Sequence, residues 1–101
     1  MIKHIVMWQI AGSSSEEKMK AMNVVKRAFE SLNGKIPGMR MLEVGIDMSQ
    51  VDYAFDVVLY SEFDSHDALI GYADHPEHLR VKEQIGSVRT ARHQVDYQTS
   101  A

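Results

Sequence analysis

Residues 2–10 are apolar on both alternating faces, with Ile2, Val6, Trp8 and Ile10 on the side of His4 and Ile5 and Met7 on the other. A strand patterned in this way belongs in the middle of a sheet, covered on each side. Gly12-Ser13-Ser14-Ser15 interrupts the alternation, and Ser14-x-x-Glu17 reads as a capping box that opens a helix. Met19, Met22, Val25, Ala28 or Phe29, and Leu32 then recur at three- and four-residue steps, and Asn33-Gly34 supplies the left-handed stop. Ile36-Pro37-Gly38 predicts a turn. From Met39 to Met48 the chain alternates again, placing Arg40, Leu42, Val44, Ile46 and Met48 on one face. A polar connection follows. Tyr53, Phe55, Val57, Leu59 and Phe63 then line one face of a third strand, and Asp56, Val58, Tyr60 and Glu62 the other. Asp64-Ser65 caps a short helix with Ala68, Leu69, Tyr72 and Ala73 on its buried side. Pro76 must interrupt or redirect that helix, leaving 77–85 for a second short helical piece. Val88 to Tyr97 closes the series, with Ala91, His93, Val95 and Tyr97 alternating against Thr90, Arg92, Gln94 and Asp96.

The element order is therefore β-α-β-β-α-β in one unit spanning residues 1–101, an α+β chain with the ferredoxin-like signature. Right-handed crossovers place both helices on one face of a four-stranded antiparallel sheet, with strands 1 and 4 as neighbours in its middle. The opposite face is left bare. Because strand 1 is apolar on both sides, the bare face predicts a two-fold homodimer in which the two sheets meet.

Composition narrows the function classes. With 101 residues the chain buries a core but keeps little interior for a deep pocket of its own, so a partner copy can supply a missing wall. Eleven Lys and Arg against 14 Asp and Glu give a net charge of −3. A pI near 5.9 with scattered cations offers no basic stripe for nucleic acid. There is no cysteine, which excludes disulfides, thiolate metal sites and cysteine nucleophiles. No stretch reads as a signal segment or membrane span, so a cytoplasmic location is the expectation, and nothing marks a cofactor site.

Five histidines are present, two of them in Tyr72-Ala73-Asp74-His75-Pro76-Glu77-His78. Three readings of that string stay open. In the first, His75 caps the last carbonyls of the helix that Pro76 ends, and His78 hydrogen-bonds backbone across the break. In the second, His78 points into a cavity as a general base, with Tyr72 donating to a developing oxyanion: imidazole titrates near neutrality and a phenol donates without ionising. The third is metal binding by Asp74, His75, Glu77 and His78, whose spacing is not that of a zinc helix, and no metal is assigned. His4 shares its face with Ile2, Val6 and Trp8, as a satisfied interior histidine does. From strand 4, however, Asp96, Arg92 or Gln94 can approach it, and a carboxylate on one ring nitrogen raises basicity at the other. Asp96 can equally pair with Arg92 on its own strand face. Lys18, Lys20, Lys26 and Arg27 read as the solvated side of the first helix.

Met1-Ile2-Lys3-His4-Ile5-Val6, Ile36-Pro37-Gly38, Leu42-Glu43-Val44-Gly45, Ser61-Glu62-Phe63, Tyr72-x-x-His75-Pro76-x-His78 and Val95-Asp96-Tyr97, in this order, resemble the stress-responsive α/β-barrel (Dabb) family over nearly the whole chain. The resemblance implies ferredoxin-like subunits whose sheets pair into a dimeric α/β barrel. Some plant members are stress-induced proteins, and one plant branch is a polyketide cyclase performing an aldol-type ring closure. The catalytic tyrosine and histidine of that branch fall on Tyr72 and His78, with supporting groups at His4 and Asp96. A further histidine of its third strand has no counterpart in Tyr53-Ala54-Phe55-Asp56-Val57-Val58. The same barrel shape also hosts cofactor-free monooxygenases and haem-handling proteins. Three functions are thus in view: a homodimer enclosing a small, partly apolar ligand, a cyclase-like lyase, and a non-catalytic, persistent structural dimer. For the first, Trp8, Val58, Leu69 and Tyr72 are the candidate walls, Arg92 a further ligand contact, and His4, His78 and Asp96 the polar groups.

Overall fold

In a computed structural model, which describes residues 1–100, the chain runs β1 (Ile2–Ile10), α1 (Ser15–Glu30), β2 (Met39–Ile46), β3 (Val57–Phe63), α2 (His66–Asp74), α3 (Pro76–Ile85) and β4 (Arg89–Gln98). The strands form one antiparallel sheet in the order β2-β3-β1-β4, a ferredoxin-like fold. β1 and β4 are neighbours as expected, but β4 is an edge strand; the central pair is β1 and β3, because each crossover skips one strand.

Each element ends where local chemistry ends it. The Ser14 hydroxyl accepts the Glu17 N–H at the start of α1. At the far end, Asn33 exchanges two side-chain hydrogen bonds with the backbone of Leu42, at 2.8 and 3.0 Å, and so moors the helix exit to β2. Lys26, expected to be solvated, reaches the Val44 carbonyl at 2.6 Å and Glu30 at 2.9 Å. Burial opposes ionisation of Glu30, yet Lys26 and the Val44 N–H outweigh it and hold its carboxyl below the usual range. Met39 donates its N–H to the Ile36 carbonyl across a turn with Pro37 and Gly38 at its corners. Gly38 has φ +77°, and a Cβ there would lie 2.6 Å from Ala68 Cβ, so both backbone and space require glycine.

The core lies between the sheet and the helices. It is built from Val6, Trp8 and Ile10 of β1, Val25 and Phe29 of α1, Leu42 and Val44 of β2, Leu59 and Phe63 of β3, and Val81 and Ile85 of α3. The other sheet face has no helix over it: Met7, Val95 and Tyr97 are 41%, 60% and 44% exposed.

Several expectations are corrected. β2 stops at Ile46 and Met48 is exposed, while β3 begins at Val57 and leaves Tyr53 in solvent. Asp56 therefore precedes the strand. Its carboxylate accepts the Ile10 N–H at 2.8 Å and pairs with Lys18 at 3.1 Å, tying the loop to β1 and α1. A register shift between Met39 and Met41 swings Arg40 off the face of Leu42 and toward an ion pair with Asp64. Met19, one turn into α1, is exposed rather than a core filler, and Ala73 is exposed where α2 ends.

Candidate active site

α2 and α3 are separated by a single residue, His75, and that break shapes the site. Pro76 cannot continue α2 but suits the first position of a new helix. The His75 N–H donates to the Tyr72 carbonyl, and its Nδ1 accepts the Glu77 N–H at 3.1 Å. His75 thus caps the start of α3 with its ring instead of capping the last carbonyls of α2 with it.

One turn later, His78 Nδ1 lies 3.1 Å from the Ala73 carbonyl, a group that the break leaves without a helical partner. A carbonyl only accepts, so Nδ1 carries the hydrogen and the neutral ring presents Nε2 as a base. The imidazole lies against Tyr72, ring centroids 4.1 Å apart at 31°, with Phe29 at 6.2 Å. Burial lowers the His78 pKa; the Ala73 hydrogen bond opposes the shift, while Lys82, Arg89 and His4 add to it. Burial likewise pushes the Tyr72 phenol well above its ordinary range, overriding Arg92 and Arg89, so the phenol stays a donor at neutral pH.

Across the cavity, buried His4 meets Asp96 at 2.5 Å through Nδ1, which fixes the orientation of the ring. The cross-strand register makes the pair, since His4 stands opposite Asp96. Asp96 and Arg92 do not meet directly. Gln94 lies between them, donating to Asp96 at 2.9 Å and accepting from Arg92. The His4 ring approaches Tyr72 edge-on at 6.1 Å.

These groups line one cavity of about 220 Å³ between sheet and helices. His4, Trp8, Leu69, Tyr72, His78, Arg92 and Asp96 all border it. Val58 does not. It follows Val57, which stands opposite Trp8 on the helix side, so Val58 points to the open face and lines a separate hollow with Met7. Leu59 occupies the wall position assigned to it. Sequence reasoning also missed Phe29, Lys82 and Arg89. Strict alternation put Thr90 on the cavity side, but a register shift between Gln9 and Ile10 brings Arg89 opposite Ile10. Among the described residues no group of three or more His, Asp or Glu is placed to hold a metal ion, and no helix is long and apolar enough to cross a membrane.

Fold and cavity together define a ferredoxin-like α+β protein with its polar groups gathered under the helices. The family model for the stress responsive A/B barrel domain matches residues 2–99, and the chain belongs to that family. An uncharacterised protein of Streptomyces coelicolor is 31% identical over 78 residues, 77% of this chain and 79% of its own. A solved structure from Bacteroides fragilis, described as a dimeric protein of unknown function with a ferredoxin-like fold, is 37% identical. It superposes with a TM-score of 0.85 over 97% of this chain and 95% of its own. The hydroxynitrile lyase of Passiflora edulis shares the fold at a TM-score of 0.78 and 16% identity, over 99% of this chain and 94% of that one.

Proposed function

We propose that this chain acts as a homodimer, closed through its open sheet faces, in which each protomer holds a small, partly apolar ligand between sheet and helices. One observation carries the reading: His4, Tyr72, His78 and Asp96, from four different elements, border a single cavity whose other walls include Val6, Phe29, Leu59 and Leu69. An apolar chamber with a few convergent polar groups is the usual form of a small-molecule site. The dimer is supported by the dimeric relative from Bacteroides fragilis and by the exposed apolar side chains of the uncovered face. Native mass spectrometry, with a fluorescence screen of aromatic and polyketide-like carbonyl compounds, tests the proposal. Retention of one ligand per protomer is expected; no binding across the screen would sink it.

A second reading is favoured by the geometry of His78 itself. With Nδ1 engaged by Ala73, its free Nε2 is the atom suited to take a proton from a carbon next to a carbonyl. Tyr72, in ring contact and protonated, is suited to donate to the resulting enolate oxygen, while His4, oriented by Asp96, steadies the same region. This is lyase or cyclase chemistry without a cofactor. Solvent-deuterium incorporation next to the carbonyl of a retained ligand tests it: exchange should be lost in His78→Asn, and equal exchange in both proteins would rule it out.

A further inference from the structure

The cavity has a polar corner whose charge neither reading explains. Trp8 is 2% exposed, and its Nε1 is a buried donor with no hydrogen-bond partner. Leaving such a group unpaired costs about 1–3 kcal/mol, and the indole that carries it borders the cavity, so an acceptor brought to it there would recover that cost. Arg89 lies over the same indole, 4.9 Å from the ring centroid, and 5.9 Å from that of Phe29. Arg92 stands opposite Trp8 in the β1–β4 register. A second hollow opens beside the main cavity, and Trp8, Arg89 and Arg92 are the residues the two share.

The charges here are unbalanced. None of the ion pairs among the described residues includes Lys82, Arg89 or Arg92, although all three border the cavity. Arg92 donates to the neutral amide of Gln94, and Asp96, the acid that borders the same cavity, is engaged by His4. Burial and the like charge of Arg92 both hold the Arg89 guanidinium below its ordinary range. Guanidinium groups match carboxylate geometry, and a half-buried one without a counter-ion gains most from meeting an anion. Arg89 and Arg92 thus stand together on the cavity wall without an acidic partner.

We propose that Trp8, Arg89 and Arg92 form a carboxylate-binding subsite, so that the ligand is a small carboxylate whose apolar body extends past Phe29 toward Tyr72 and His78. The inference rests on the cavity being the ligand site and adds the ligand's charge and orientation. Phe29, stacked on Trp8 at 5.0 Å and 6.2 Å from His78, spans the two ends.

Phenylacetate and its uncharged isostere phenylacetamide are the probes, titrated into the protein and followed at the indole N–H resonance of its single tryptophan. Phenylacetate should bind at least tenfold more tightly than the amide and move that resonance downfield as the N–H acquires an acceptor. Arg89→Gln, read at the same resonance, should remove most of this preference. Equal binding of both probes, or a preference that survives Arg89→Gln, would overturn the subsite while leaving the cavity a ligand site. Binding of neither probe would overturn both.

Discussion

Val95→Asp should dissolve the proposed dimer while leaving each protomer folded. Val95 lies opposite Ile5 on the open face and is 60% exposed in the single protomer, so little of its apolar surface serves the protomer's own stability. Pairing of two sheets would bury that remaining surface. Full burial of a valine is worth about 1.5 kcal/mol, so roughly 1 kcal/mol is lost at each site when the side chain is replaced. An unpaired carboxylate in the same contact adds a desolvation cost of about 3 kcal/mol. The two-fold axis repeats every change, giving about 8 kcal/mol per dimer, which at 1.4 kcal/mol per decade weakens association by between about 10⁵ and 10⁶. Sedimentation velocity at micromolar concentration should show the wild type at twice 11.5 kDa and the variant at 11.5 kDa, with unchanged far-ultraviolet circular dichroism. A variant that still sediments as a dimer would refute the reasoning, as would a wild type that is already a monomer.

The other predictions concern the helix break, the phenol and the turn. Because burial holds His78 below its ordinary pKa, the unfolded chain takes up a proton first as pH falls through about 6.5; His78 therefore contributes a stability loss on acidification that ends once the folded imidazole is itself protonated. Urea titrations between pH 7.5 and 5 should show a shallower acid decline in His78→Asn than in the wild type, and identical slopes would contradict this. Tyr72→Phe keeps the ring against His78 and Phe63 and should change the urea midpoint little, yet cost a carbonyl ligand about 1 kcal/mol of affinity by calorimetry. Gly38→Ala meets both a positive φ and Ala68 Cβ, and should destabilise by about 3 kcal/mol; Ala68→Gly in the same chain should restore the steric part alone.

The order of elements was legible because alternation, a capping box, a Pro-Gly turn and a proline break each leave a local mark. His4 and Asp96 could be paired from sequence because strand parity aligns them once β1 and β4 are neighbours. What escaped is what breaks parity. The shifts at Arg40 and at Gln9–Ile10 move single residues to the other face, which no periodic reading anticipates, and Arg89 was hidden in this way. Val58 shows a different limit. β3 alternates strictly, burying Val57, Leu59, Ser61 and Phe63, so parity sets Val58 with Tyr60 and Glu62 away from the cavity even though its side chain is apolar, and Leu59 holds the wall instead. Lys26 and Asn33 look like surface residues until the path of β2 gives them backbone to hold.

The central claim is that ligand lies between sheet and helices, among the four convergent polar groups. Amide and side-chain chemical-shift mapping with the first compound retained in the mass-spectrometric screen tests it most directly. The large shifts should fall on His4, Trp8, Tyr72, His78 and Asp96; shifts confined to Met7, Val58 and Val95 on the open face, with the cavity silent, would contradict a ligand held there.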